Sequence, residues 1–366
     1  MLTVDQRPFK FSEMIGQKGV ISEMKKRSKT MNFPEVMIMS GPSGTGKTTL
    51  AYIIASLIND PNPIINEDGS KDPNPESLSS KAVRSERFNR DIKLYDASSM
   101  GKDDVLSLGQ SIQNAPLYDK NKVIIIDEAQ ELSKAGKGVT LELLEKKRKG
   151  CYIILCTMNL DSFDKAVKSR GQVYTFRSPP PTQIAELLLD YTEKLKLPDD
   201  LVEFYEKGIF IIAENCEGSV RNALQNFERC VEGEFFTVKE IESEFSFIST
   251  DRMADLLLKI VKKDCSVIKD LKEFGTKDFF YKSMKALNNA FLYKTTGYID
   301  ASWKKAMAEQ LSSYDLESLL NYYFKVNELN YFQEDVYLFY LGKYLSGGTK
   351  LSEAPKPIRK RVPVGK

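Results

Sequence analysis

The chain contains no histidine and only five cysteines, Cys151, Cys156, Cys216, Cys230 and Cys265, which are scattered and never paired as C-x-x-C. Without histidines or closely spaced thiols a zinc site is not expected, and the odd, dispersed cysteines read as free thiols of a reducing cytosol. No apolar run approaches the roughly 20 residues that cross a bilayer, so no membrane partner is expected. The N-terminal MLTVDQRPFKF has no apolar core with a cleavage site, so no secretory signal is expected. Charge of one sign is also lacking. The net charge is +2, which leaves any nucleic-acid contact to local basic patches. What is present, 42% hydrophobic and 28% charged residues in a chain of 366, suits two or three globular domains.

The most informative stretch is Met37–Leu50, MIMSGPSGTGKTTL. A short apolar run, Val36–Met39, leads into Gly41-Pro42-Ser43-Gly44-Thr45-Gly46-Lys47-Thr48, which fits the phosphate-cradling pattern G-x-x-x-x-G-K-[ST]. Gly44 and Gly46 let the backbone curl so that several N–H groups face one concavity. A helix starting near Lys47 adds its positive end to that anion site. Lys47 is then placed to reach the β and γ phosphates of ATP, with Thr49 completing the loop, and the Thr48 hydroxyl to bind Mg2+. A second motif, Val123-Ile124-Ile125-Ile126-Asp127-Glu128, is an apolar strand ending in two carboxylates. Asp127 suits the Mg2+ ion, and Glu128 suits orientation of an attacking water.

Further apolar runs, Lys93–Tyr95, Tyr152–Cys156 and Val173–Phe176, read as strands. Repeated strand–helix units predict a mainly parallel sheet covered on both faces. The third run ends in Thr157-Met158-Asn159, where Thr157 and Asn159 can offer polar groups to the γ-phosphate. Residues 60–91, rich in Pro, Asn, Asp, Ser and Gly, read as a mobile excursion from the core. A helix is expected over 103–113, and another across Leu141–Leu144 that ends in Lys146-Lys147-Arg148-Lys149. That basic run reads as a solvated face, with a DNA contact as the alternative. Ser178-Pro179-Pro180-Pro181-Thr182 is the clearest break. Beyond it the chain is helical to about Phe245 and again from about Phe247 to Leu345, where Tyr, Phe and Leu recur at helical spacing, as in a core or a subunit interface. Arg221 opens one helix, against the helix dipole. That hints at a bound anion, a solvated arginine being the alternative. Lys350–Lys366 holds six basic residues, one acid and three prolines and reads as a disordered basic tail.

Taken together, these motifs resemble the AAA+ clamp-loader ATPases, most closely the gamma/tau group of bacterial DNA polymerase III. The likeness covers about Val4 to Cys230. It is carried by Arg7-Pro8 with Ile15-Gly16-Gln17, the segment against adenine; by the P-loop; by Asp96-Ala97-Ser98-Ser99; by Gln113-Asn114-Ala115-Pro116 and Lys122 running into Asp127-Glu128; by Ser169-Arg170; and by Gly218-Ser219-Val220-Arg221-Asn222-Ala223-Leu224. It implies an α/β P-loop AAA+ core over 1–178, a small helical lid over 179–245, an all-α collar that oligomerises over 246–345, and the basic tail over 346–366. Arg170 would act as an arginine finger in the neighbouring subunit's site, and Arg221 as a sensor of the γ-phosphate. Arg7, Pro8 and Ile15 would frame the nucleotide, and Lys102 and Lys134 would touch DNA phosphates.

The resemblance also implies an ATP hydrolase with Mg2+. Its partners would be a sliding clamp, the other subunits of a pentameric ring (of one kind or several), primer–template DNA, and the replicative polymerase or helicase, all in a bacterial cytosol. Three departures stand out. The family's zinc module is replaced by the cysteine-free stretch 60–91. The cysteine after Ser169-Arg170 is Gly171. The sensor position aligns with Met158, which cannot hydrogen-bond a phosphate, so slow hydrolysis or a sensor displaced by one residue is expected. Two rivals share the Walker motifs: another AAA+ DNA motor for branch migration or recombination, and a nucleotide-switched scaffold that scarcely hydrolyses.

Overall fold

The computed structural model describes residues 7–85, 91–101, 104–105, 107–109, 114–146, 148–245, 247–273, 276–297, 309, 311–327 and 334–346. Lys102, most of the helix expected over 103–113, and the basic tail from 347 lie outside them. The chain divides into two compact units, 1–236 and 237–366.

The first unit is built on a five-stranded sheet. In chain order its strands are β1 (Val36–Ser40), β4 (Ile92–Asp96), β5 (Lys122–Asp127), β6 (Cys151–Thr157) and β7 (Gln172–Thr175), with a two-stranded hairpin, β2 (Ile64–Ile65) and β3 (Lys71–Asp72), in between. The spatial order is β4-β5-β6-β1-β7, and every pairing in it is parallel. The registers Ser40↔Thr157, Ser40↔Thr175 and Asp96↔Asp127 bring the carboxyl ends of the strands to one edge.

Why the three central strands β1, β5 and β6 are apolar almost throughout follows from where alternate side chains go. A strand's side chains point to opposite faces in turn. Met37, Met39, Val123, Ile125, Ile154 and Cys156 enter one core cluster, with Leu50, Ile53, Ile54 and Leu57 of helix α2 (Lys47–Ile58) and Met24 of helix α1 (Lys18–Thr30). Val36, Ile38, Ile124, Ile126, Ile153 and Leu155 enter the other, with Leu132, Leu144, Phe163 and Val167. Both faces of these strands are covered, so their polar residues, Ser40, Lys122, Asp127 and Thr157, stand at the strand ends. Each fully buried Ile or Leu contributes roughly 1.5–3 kcal/mol of transfer free energy.

Residues 60–85 depart from expectation. They pack onto the core as the β2–β3 hairpin and helix α3 (Leu78–Arg84). The polar residues that suggested an excursion serve as local acceptors. Asp60 accepts from the Asn62 and Asn74 backbone N–H groups at 2.9 and 2.5 Å. Buried Asp72 accepts from the Phe11 N–H at 3.0 Å and from Asn66 Nδ2 at 2.9 Å. Ser79 Oγ donates to the Ser56 carbonyl at 2.9 Å, and Val83 joins the core. Hydrogen-bonded in this way, polar side chains can be buried without a large penalty.

Helices α4 (Lys134–Lys146) and α5 (Lys165–Lys168) follow β5 and β6. After the proline break come α6 (Pro181–Leu195), α7 (Ile209–Asn215) and α8 (Val220–Glu232). The second unit is all-helical: α9 (Val238–Phe245), α10 (Thr250–Val261), α11 (Val267–Glu273), α12 (Thr276–Thr296), α13 (Leu316–Asn327) and α14 (Glu334–Leu345). Helix α9 falls in the second unit, which begins at 237, nine residues before the collar start at 246 read from the sequence. Buried Glu242 of α9 accepts from the Ser249 N–H at 3.0 Å and pairs with Arg252 at 3.5 Å. The aromatic residues of this unit form much of its core. Phe280 stacks on Tyr323 with centroids 5.1 Å apart, and the Tyr322 hydroxyl donates to the Tyr337 carbonyl at 2.7 Å. Four of the five cysteines are free and buried, and Cys265 is free and exposed. Among the described residues no helix is long and apolar enough to cross a membrane.

Asp91, before β4, holds the loop that leads to β5. Its carboxylate, 3% exposed, accepts from the backbone N–H groups of Leu117, Tyr118 and Asp119 at 2.7–3.0 Å. Burial by itself would raise its pKa; the three N–H donors and the charge of Lys122 outweigh that and hold it below the ordinary carboxylate value. A depressed folded-state pKa stabilises the fold above the unfolded value of about 3.9, and that contribution is lost as the pH falls through the folded value. Asp91→Asn is expected to lower stability by about 2 kcal/mol at neutral pH. The gap from wild type should shrink once the pH drops below about 4, as read from urea midpoints at the two pH values.

Candidate nucleotide site

The loop from Gly41 to Gly46 turns the chain from β1 into α2. Gly44 and Gly46 have φ of 70° and 95°, in the left-handed region, where a side chain is strained. At Gly44 there is also no room, because a Cβ would run into the Ser219 side chain. Lys47 opens α2 and is buried, 6% exposed. Its ammonium donates to the Gly41 and Pro42 carbonyls at 2.8 and 2.7 Å. Burial lowers its pKa, and the neighbouring Cys156, Glu128 and Asp127 partly restore it. The same burial pushes the Cys156 thiol up.

The carboxyl end of β5 meets this loop. The Thr48 hydroxyl donates to Asp127 Oδ2 at 2.8 Å across 79 residues of sequence. That places a hydroxyl and a carboxylate side by side, the hard oxygen donors that magnesium prefers. No group of three or more His, Cys, Asp or Glu side chains suited to a metal occurs among the described residues, so such an ion would lean on substrate phosphates and water as well. Glu128 follows with φ 46°, its N–H on Asp127 Oδ1 at 3.0 Å.

These groups open onto a cleft of about 1250 Å³. Ser43–Thr49, Asp127, Glu128, Arg7, Pro8, Ile15 and Arg221 all line it. Gly41 and Pro42 lie behind, as acceptors for Lys47. Arg7 stacks its guanidinium over the Tyr52 ring, 4.7 Å from the centroid. Arg221 reaches the cleft because the start of α8 is tied to the loop: the Val220 N–H donates to the Gly44 carbonyl at 3.0 Å, and Ser219 caps α8 by accepting from the Asn222 N–H.

Other expected residues fall elsewhere. Thr157 and Asn159 do not line the cleft. The Thr157 hydroxyl donates to Gln130 Oε1 and accepts from the Asn159 N–H, and Asn159 Oδ1 accepts from the Asp161 N–H. Met158 is 47% exposed. Arg170 also lies outside this cleft, paired with Glu145 at 2.6 Å and with the Ala166 carbonyl at 2.8 Å. Lys134 is the first residue of α4. Gln130 escaped the reading of the sequence; it joins Glu128 to Thr157 and Met158. Two residues named there only as parts of motifs also have roles of their own: Ser219 fills the space at Gly44, and Gln17 braces the chain after β7 with both ends of its amide, on Arg177. The signal for Gln130 was its place two residues after Glu128.

A family model described as DNA polymerase III, delta subunit, matches residues 16–180. The gamma/tau subunit of DNA polymerase III from Mycoplasma genitalium is 25% identical over 318 residues, covering 84% of this chain and 51% of that protein. The gamma subunit from Buchnera aphidicola (Acyrthosiphon pisum) is 24% identical and covers 83% of each. The chain is thus similar to DNA polymerase III gamma/tau subunits, at about 25% identity over much of its length. It spans about half the length of the Mycoplasma relative. Among solved structures, the RuvB Holliday junction branch migration motor of Thermotoga maritima aligns with a TM-score of 0.49 and 18% identity, over 70% of this chain and 79% of that one. The first unit is a parallel sheet of order β4-β5-β6-β1-β7 flanked by helices, with a P-loop at the end of β1, and an all-helical region follows it in sequence.

Gly44→Ala is expected to cost about 1–3 kcal/mol, from the left-handed backbone and the encounter with Ser219. Gly19→Ala is the control. Gly19 sits in the first turn of α1 with open space around it and should be neutral or stabilising by up to about 1 kcal/mol. Urea midpoints of the two variants check the contrast.

Proposed function

We propose that this chain is an ATPase subunit of a sliding-clamp loader, which opens a ring-shaped clamp and places it on primer–template DNA. The observation that carries the ATPase reading is the Thr48–Asp127 contact, with Lys47 and Glu128 beside it on one cleft. The kinship with gamma/tau subunits supports the choice of machine.

In this reading the backbone N–H groups after Gly44 bind the phosphates. Lys47 leaves its two loop carbonyls for the β and γ oxygens, a modest move for a buried ammonium already on the loop. Thr48 and Asp127 hold Mg2+, which supplies positive charge to the phosphate oxygens when bound. Glu128 orients the water and draws its proton. Arg221, whose helix is hydrogen-bonded to the loop, senses the γ-phosphate and closes helices α6–α8 as a lid. Arg170 serves a neighbouring subunit's site, which agrees with its distance from its own cleft and makes hydrolysis depend on assembly. The C-terminal helices act as the collar of the ring. The clamp, the other loader subunits, primer–template DNA and the replicative polymerase or helicase are the proposed partners.

The test is the steady-state ATPase rate of the purified chain with its loader subunits, with and without primer–template DNA and the clamp of the same genome. The expected result is a low basal rate raised by DNA and clamp together. Lys47→Ala and Arg170→Ala should each lose it, the latter by about 10³-fold or more. Glu128→Gln should lose about 10²-fold or more. Stimulation by branched DNA with indifference to the clamp would replace this reading with that of another DNA motor. Bound ATP that is never hydrolysed would replace it with a nucleotide-switched scaffold.

A further inference from the structure

The end of β6 and the carboxylate of Glu128 are joined by one side chain, Gln130. The Met158 backbone N–H donates to Gln130 Oε1 at 3.0 Å, and the Thr157 hydroxyl donates to the same oxygen at 2.9 Å. Gln130 Nε2 donates to Glu128 Oε2 at 2.6 Å. The orientation of the amide is fixed by chemistry. A backbone N–H can only donate, so the oxygen must face Met158, and the nitrogen must then face the carboxylate, which only accepts. Thr157 is fully buried, and its carbonyl accepts from the Gly41 N–H at 3.1 Å. The bridge therefore runs from the phosphate loop, through the end of β6, to Glu128.

We propose that Gln130 is a positioning residue for Glu128, reporting the state of the β6 end to the group that activates water. This rests on the ATPase reading above. It also answers how a chain with methionine at the sensor position can couple that strand to the chemistry. The Met158 side chain is not needed, because its backbone N–H and the adjacent Thr157 hydroxyl engage Gln130 instead. With both acceptor sites of Oε1 used and one N–H on Glu128, the amide is held at three points. That limits the rotamers open to Glu128, whose own backbone is already in the left-handed region. One N–H of Gln130 has no partner among the described residues and is free to donate to a water beside Glu128.

Three variants of the full chain separate the possibilities, each assayed in the assembled loader with DNA and clamp. Gln130→Ala removes the bridge. It should lower kcat about 10–100-fold, the range of a mispositioned base, with KM for ATP within about twofold of wild type. Gln130→Glu keeps the acceptor for Met158 and Thr157 but cannot donate to Glu128. It should lower kcat as much, while hydrogen exchange at the Met158 amide stays as slow as in wild type. Thr157→Val combined with Gln130→Ala should be no worse than Gln130→Ala alone, since the two act through one bridge. A kcat within twofold of wild type in Gln130→Ala, a KM that rises as kcat falls, or multiplicative losses in the double variant would each overturn the proposal. So would an unaltered Met158 exchange rate in Gln130→Ala, a readout that needs no turnover. Hydrolysis that survives Lys47→Ala would instead overturn the ATPase reading itself.

Discussion

Everything in the first unit depends on the sheet being parallel and buried on both faces. Because β1, β4, β5, β6 and β7 all run the same way, their carboxyl ends share one edge. The phosphate loop, the Asp127-Glu128 pair and the Thr157-Met158-Asn159 turn all leave from that edge. Strand β1 lies between β6 and β7 while the chain itself passes from β1 to β4 at the far side. Such a reversal of strand order opens a crevice in which ligands bind. The Thr48–Asp127 hydrogen bond is a product of that geometry.

The second constraint is that the site must be closed by elements remote in sequence. The start of α8 lies against the loop through Val220 and Gly44, and the Ser219 side chain occupies the space that a Cβ at Gly44 would need. Arg221 faces the cleft for that reason. A charge at the first turn of a helix is unfavourable by a few tenths of a kcal/mol on dipole grounds. A bound polyphosphate would reverse the sign of that effect, whereas Arg170, paired with Glu145 away from the cleft, needs no such ligand to be stable where it is.

Composition misled where side chains took over the role of backbone. Residues 60–85 looked like an excursion because Asn, Asp, Ser and Pro dominate them. Here those residues are the hydrogen-bond partners of turns and helix caps, and five of them, Asp60, Ser70, Asp72, Ser79 and Ser80, are buried with hydrogen-bond partners. A polar stretch is unstructured only if its polar groups find water to be the better partner. Glu242 makes a similar point: a charge in a short helix is indistinguishable in sequence from a solvated one until Ser249 and Arg252 are seen to meet it.

The sequence by itself determined the strands, the loop and the acidic pair. Each of these is a local pattern: an apolar run of strand length, glycines where φ must be positive, carboxylates at a strand end. Local patterns survive in sequence because the physics that requires them acts over a few residues. Only the tertiary structure decided which polar groups work together. Nothing in the spacing of Glu128, Gln130 and Thr157 says that a glutamine should join the base to another strand, nor that Asn159 should cap a turn while Arg7 covers Tyr52. Those pairings depend on the register of β5 against β6 and on the way helices pack on the sheet. They arise from burial summed over both faces of the sheet, which no short stretch of sequence contains.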